Sequence, residues 1–97
     1  MKIHDIILSD HFWSDWKHVP DGIKKRFNQD LEIISEIGKL PNGIQAHKIK
    51  NYCEDGWWVG YISTGKFAWR FLFSVTASGV MVVERIISHN EMDQLLK

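Results

Sequence analysis

Apolar residues fall into two textures along this chain, and the change comes near Ile44. In the N-terminal half, Ile23, Phe27, Leu31, Ile34 and Ile37 recur at spacings of four, four, three and three. That period predicts an amphipathic helix. Lys24, Lys25, Gln29, Asp30 and Glu32 fall mostly off the stripe. Gly38 is a natural stop, and Pro41-Asn42-Gly43 reads as a loop. Ahead of this helix, Phe12, Trp16 and Val19 lie four and three apart and predict a shorter helix with one apolar face. Ser9 can cap it, Asp10 suits its first turn, and Pro20 ends it and opens the next. Ile3, Ile6, Ile7 and Leu8 make Met1 to Leu8 a first strand.

Beyond Ile44 the texture is that of strands. Trp57 to Ser63, Phe67 to Val75 and Val80 to Ile87 are rich in aromatic and β-branched residues. The gaps at Thr64-Gly65 and Thr76 to Gly79 suit hairpins, so these strands should pair antiparallel. Ile44 to Ile49 adds a short strand before them, and His89 to Lys97 a final helical turn with Met92, Leu95 and Leu96 facing inward. The expected fold is an α+β sandwich. In it an N-terminal strand and two helices pack on an antiparallel sheet of three to four strands, whose other face is partly open.

Composition narrows the picture. Ninety-seven residues suit one domain, taken as residues 1–97, and 44% hydrophobic with 25% charged is ordinary for a soluble protein. No apolar run approaches the roughly 20 residues of a membrane helix, and none follows Met1 to Asp5 that suits a signal peptide. A single cysteine, Cys53, can neither form an internal disulfide nor anchor zinc alone, so a reducing cytoplasm is the expected compartment. Twelve basic and twelve acidic residues cancel. Zero net charge argues against nucleic-acid binding by bulk charge but allows a local basic patch.

The sequence lacks the glycine-rich nucleotide loops, the HExxH and GxSxG motifs and a calcium loop. Its charge distribution says more. Lys39, His47, Lys48 and Lys50 fall in a stretch without acids, and Lys66, Arg70, Arg85 and His89 come from the strands or their ends. Alternation puts Arg70 on one face with Ala68 and Leu72, opposite Phe67, Trp69, Phe71 and Phe73. In the last strand it groups Met81, Val83, Arg85 and Ile87, with His89 continuing that face. An unpaired arginine inside a strand is costly. Two readings stay open. Either the sheet face holds an anion, or the arginines pair with Glu54, Asp55, Glu84 or Glu91. Lys48 and Lys50 equally suit a solvated edge strand. Trp57 and Trp58 point to opposite faces, so at least one belongs to the core.

Taken together, these segments resemble the RelE/ParE superfamily of bacterial toxin–antitoxin toxins. Phe12 to Pro20 followed by Ile23 to Phe27 matches the family's helical hairpin. His47-Lys48-Ile49-Lys50 is similar to its "hkLkg" segment, and Trp58 to the aromatic that opens its next strand. Ala68 to Phe73 resembles its "yRllf" strand. Arg85 to Met92 resembles the R-x-x-S-H-x-E ending of the YafQ and HigB branches. The resemblance implies a compact RelE-like sandwich and ribosome-dependent mRNA cleavage, with no metal and no cofactor. A cognate antitoxin, the ribosome and mRNA are the implied partners. It implies catalytic roles for His89 in proton transfer, Arg70 on the scissile phosphate and Arg85 as a second phosphate ligand. His47, Lys48, Lys50 and Lys66 are the implied RNA contacts. Two departures stand out. The chain is neutral where most relatives are basic, and the mid-strand carboxylates of some branches have no counterpart, Tyr61 standing in that region instead. The alternatives are a ParE-like protein that binds DNA gyrase without cutting RNA, and an inactive interaction domain of the same fold.

Overall fold

In the computed structural model, which describes residues 2–49, 56–63 and 68–97, one five-stranded sheet organises the chain. The elements are β1 (Asp5–Leu8), α1 (Asp10–Trp16), α2 (Asp21–Ile37), a 3-10 turn (Asn42–Ile44), β2 (His47–Lys48), β3 (Trp57–Ser63), β4 (Trp69–Val75), β5 (Val80–Ser88) and α3 (His89–Leu95). The strand order is β1-β5-β4-β3-β2. The predicted α+β sandwich is therefore present, with β2 to β5 as an antiparallel meander.

One detail departs from the sequence reading. The first strand joins the sheet, pairing parallel with β5. The two helices supply the long crossover that parallel pairing requires, and the meander starts at the far edge and returns beside β1. None of this is encoded within the first strand itself, whose partner lies some seventy residues away.

Local signals act as the sequence suggests. Ser9 caps α1, its Oγ accepting from the Phe12 N–H at 3.1 Å. Pro20 is the residue before α2, and Gly38 ends that helix at φ 70°. The apolar stripe of α2 and the aromatic face of α1 cover one face of the sheet, where Phe12, Phe27, Ile34, Phe71, Phe73, Met81, Val83 and Ile86 are buried. Gly60 admits the Phe71 ring, which would lie 2.4 Å from a Cβ at that position. On the other face a smaller cluster of Val59, Leu72, Ile87 and Met92 is roofed in part by α3. Trp58 packs on the first cluster and Trp57 on the second, as their alternation requires.

A β-bulge in β5 corrects the predicted facing of its residues. Leu72 pairs with Arg85 but Phe73 pairs with Val83, so Glu84 is an extra residue. The alternation changes phase there. Met81 and Val83 belong to the helix-covered core, together with Ile86, while Ile87 belongs to the opposite cluster. The grouping of Met81 and Val83 with Ile87 is thus overturned. Helix α1 is moored to the bulge. Ser9 Oγ donates to the Glu84 carbonyl at 2.9 Å, and Asp15 accepts the Ile86 N–H at 3.1 Å. Asp15 also takes a two-pronged ion pair from Arg85, Nε to Oδ2 at 2.7 Å and the second nitrogen to Oδ1 at 3.0 Å.

Two predictions follow from this packing. Asp30, on the buried side of α2, lies 3.4 Å from Arg26 Nε. Burial pushes its carboxyl above the ordinary value of 3.8, against the opposing pull of Arg26. The folded state therefore holds this proton more tightly than the unfolded chain. Stability from this site is fully present below about pH 3.8 and is lost as pH rises through the higher folded value. Asp30→Asn should gain on wild type between pH 3 and pH 7 in urea unfolding, and the opposite slope would refute the assignment. Arg85→Ala strips Asp15 of a charged partner and should cost about 1.5–3 kcal/mol in the same assay.

Candidate functional site

The face of the sheet away from α1 and α2 carries the residues singled out for chemistry. Tyr61 on β3 and Arg70 on β4 are direct cross-strand partners. The Arg70 guanidinium carbon lies 3.9 Å from the centre of the Tyr61 ring, a cation–π stack that fixes the plane of the guanidinium. One of its nitrogens donates to the Trp69 carbonyl at 3.2 Å. On the other side of Tyr61, the His47 ring meets it edge-on at 5.5 Å. His47 stands opposite Val59 in the β2–β3 ladder, one step along the same face from Tyr61.

His89 arrives from the end of β5. Its N–H donates to the Ala68 carbonyl at 2.9 Å, extending the β4–β5 ladder to the first residue of α3. Ser88 caps that helix. Its Oγ accepts from the Glu91 N–H at 3.3 Å and donates to the Glu91 carboxylate at 3.1 Å. Ser88 and Glu91 are thus the paired ends of a helix cap. Within the Ser88-His89-Asn90-Glu91 segment, two residues hold the helix start and His89 projects from it. Met92, buried beneath, anchors the turn. Asp93, one turn on, places Oδ2 3.2 Å from His89 Nε2.

These side chains meet in one groove of about 80 Å³, walled by His47, Tyr61, Arg70, His89 and Asp93 over a floor of Val59, Met92 and Leu96. The volume equals roughly two to three water molecules. It suits one phosphate-sized anionic group rather than a metabolite, whose pockets run to about 300 Å³ and more. Its makeup is one arginine, two imidazoles and a phenol, set against one carboxylate.

The other sequence-predicted residues are placed as follows. Arg85 stands apart from this groove, engaged by Asp15 and lining a separate depression with Ile87, Glu91, Gln94 and Leu95. Asp15 was not among the carboxylates weighed for it. Lys48 is exposed beside His47 on the edge strand β2, opposite Trp58. Lys50 and Lys66 lie outside the described residues, as do Cys53, Glu54 and Asp55. Tyr61 and Asp93 are the members of the groove that sequence reasoning underweighted or missed. The i to i+4 spacing of His89 and Asp93 was the available signal for the second. Among the described residues, no set of three His, Cys, Asp or Glu side chains is placed to hold a metal ion, and no helix is long and apolar enough to cross a membrane.

No family model matches the sequence, and no curated protein matches it. Solved structures do. A RelB–RelE antitoxin–toxin complex from Methanococcus jannaschii contains a chain that superposes with a TM-score of 0.74 at 20% identity, covering 94% of this chain and 99% of that one. A free-state, doubly mutated form of the E. coli toxin RelE superposes with a TM-score of 0.61 at 11% identity, covering 96% of this chain and 90% of that one. At these identities the likeness is one of architecture, and over nearly its whole length this chain has the α+β fold of RelE toxin structures.

Proposed function

We propose that this chain is the toxin of a toxin–antitoxin pair and that it cleaves mRNA on the ribosome. The observation that carries the proposal is the groove that gathers His47, Tyr61, Arg70 and His89 on one face of a RelE-type fold. The proposed partners are an antitoxin protein, the ribosome and its mRNA. That one similar structure is an antitoxin–toxin complex supports the first of these.

In this reading the RNA 2′-hydroxyl is the nucleophile. Its proton passes to a base, the 2′-oxygen bonds to the adjacent phosphorus, and the bond to the 5′-oxygen breaks. That oxygen takes a proton from an acid, leaving a 2′,3′-cyclic phosphate and a 5′-hydroxyl end. The chemistry requires proton transfer and positive charge around the phosphorane. It acts on RNA alone because DNA lacks the 2′-hydroxyl.

Each wall of the groove has a part. Arg70, held flat by Tyr61, presents guanidinium N–H groups to the phosphate oxygens. His89 transfers the proton, and Asp93 orients its ring through Nε2. His47 supplies a second imidazole across the groove, and Lys48 beside it meets the RNA backbone. Lys50 and Lys66 remain proposed RNA contacts on the strength of the family resemblance. Arg85 enters this scheme as the tie between α1 and β5 that keeps the end of β5 in place.

The test is induced expression in a bacterial culture with primer extension on a reporter mRNA. Wild type should arrest growth and produce new mRNA 5′ ends. His89→Ala should lower cleavage by about 100-fold or more, the usual worth of a positioned acid–base group. Arg70→Lys should fail to substitute, because an ammonium neither stacks on Tyr61 nor binds phosphate in a two-pronged manner. Asp93→Asn should reduce cleavage less than His89→Ala does. Growth arrest without new 5′ ends would shift the target elsewhere, DNA gyrase first, and a harmless wild type would end the toxin reading.

A further inference from the structure

The sheet order leaves the outer side of β1 without a neighbouring strand. Ile6 and Leu8 of β1 face α2 and, with Leu31, floor an apolar groove of about 460 Å³. Glu32, Ser35 and Glu36 of α2 form its wall. Ile7 points to the opposite face and is 50% exposed. A strand laid along β1 would therefore cover apolar surface on both faces of the sheet, and main-chain pairing would set its register.

Charge selects the occupant. No basic side chain lines the groove. Glu32 and Glu36 have no ion-pair partner among the described residues. Asp5 adds a third carboxylate at the start of the strand, where its Oδ1 accepts the Ile6 N–H at 2.8 Å. An acidic rim repels phosphates, which disfavours RNA. It also disfavours a second copy of this chain, whose own rim would meet it. Apolar side chains flanked by Lys or Arg satisfy both the floor and the wall, because the long aliphatic stems of those residues cover apolar surface while their heads reach the carboxylates.

We propose that the groove between β1 and α2 receives an extended, lysine- or arginine-bearing segment of a partner protein, added as a sixth strand beside β1. The inference rests on the reading that this chain works with a partner protein. The groove lies on the α2 side of the sheet, and His47, Arg70 and His89 lie on the other side. A segment bound here anchors the partner without covering the His89 groove.

The test is titration of the isotope-labelled protein with a decapeptide alternating Val and Lys, followed by amide NMR. The expected result is shifts over residues 5–8 and 31–36. Binding should weaken by about tenfold in the Glu32→Lys/Glu36→Lys variant, as the loss of charge complementarity implies. Both of those side chains are exposed, so the fold is retained. A peptide alternating Val and Glu should not bind. Equal binding of the two peptides, shifts confined to the His47, Arg70 and His89 groove, or no shifts at all would overturn the proposal. So would a wild-type dimer in sedimentation that the same variant dissociates, since the groove would then belong to a second copy. The variant should cleave mRNA as wild type does. Peptide binding without any mRNA cleavage would therefore sink the nuclease reading and leave this one standing.

Discussion

One extra residue in β5 sets the geometry on which the rest depends. With Glu84 bulged out, the strand changes face between Val83 and Arg85. Ile86 can then join the core under the helices while Ile87 supports the opposite cluster. A bulge leaves backbone groups without ladder partners, and buried ones must be satisfied elsewhere. Here α1 satisfies them. Ser9 takes up the Glu84 carbonyl and Asp15 the Ile86 N–H. Because β1 pairs with β5 only as far as Val83, the helix continues the edge where the strand stops. The polar ends of α1 thus act as a replacement for ladder bonds, and the Arg85–Asp15 pair fastens them.

The same phase change decides what the open face can present. The β4–β5 ladder runs on from Arg70 and Ile87 to Trp69 and Ser88, and His89 keeps one further bond to Ala68. Strand register thus fixes where α3 begins, and the Ser88–Glu91 cap fixes how. A histidine at the first position of a capped, anchored helix has little freedom in its backbone. Across the sheet, the Tyr61–Arg70 pair is equally a product of register. The groove needs no long loop to assemble it: its polar wall comes from strand positions and one helical turn. Sites on such rigid elements hold their geometry better than sites on loops.

How much of this the sequence disclosed depends on the range of the interaction. Helix α2 was legible because its stripe, its following glycine and its turn are all local signals. The same holds for Ser9, the hairpins and the inward Met92. Arg70 and His89 were legible as candidates through a motif resemblance and simple alternation. Long-range facts were not. The parallel pairing of β1 and the Asp15 partner of Arg85 each join residues about seventy apart, and nothing near either residue announces the other. The bulge defeated alternation because a single inserted residue leaves no mark in a run such as Val80 to Ile87, where every position but two is apolar. Tyr61 showed its role only once register put it under Arg70.

Zero net charge, which counted against RNA binding when read from composition, has a spatial resolution. The sum conceals a partition. Arg70, His47 and Lys48 gather at one end of the open face, while Asp5, Glu32 and Glu36 edge the groove on the α2 side. Screening in physiological salt confines each field to about 8 Å. A phosphate at the His89 groove therefore responds to the arginine and imidazoles around it more than to carboxylates across the sheet. The counterion-release term that gives a basic protein its affinity is small for such a chain. Recognition must then come from fit and position, with the surrounding ribosome holding the message in place. A neutral nuclease of this kind would have little tendency to cut free RNA at random, and its dependence on a presented substrate follows from its charge as much as from its fold.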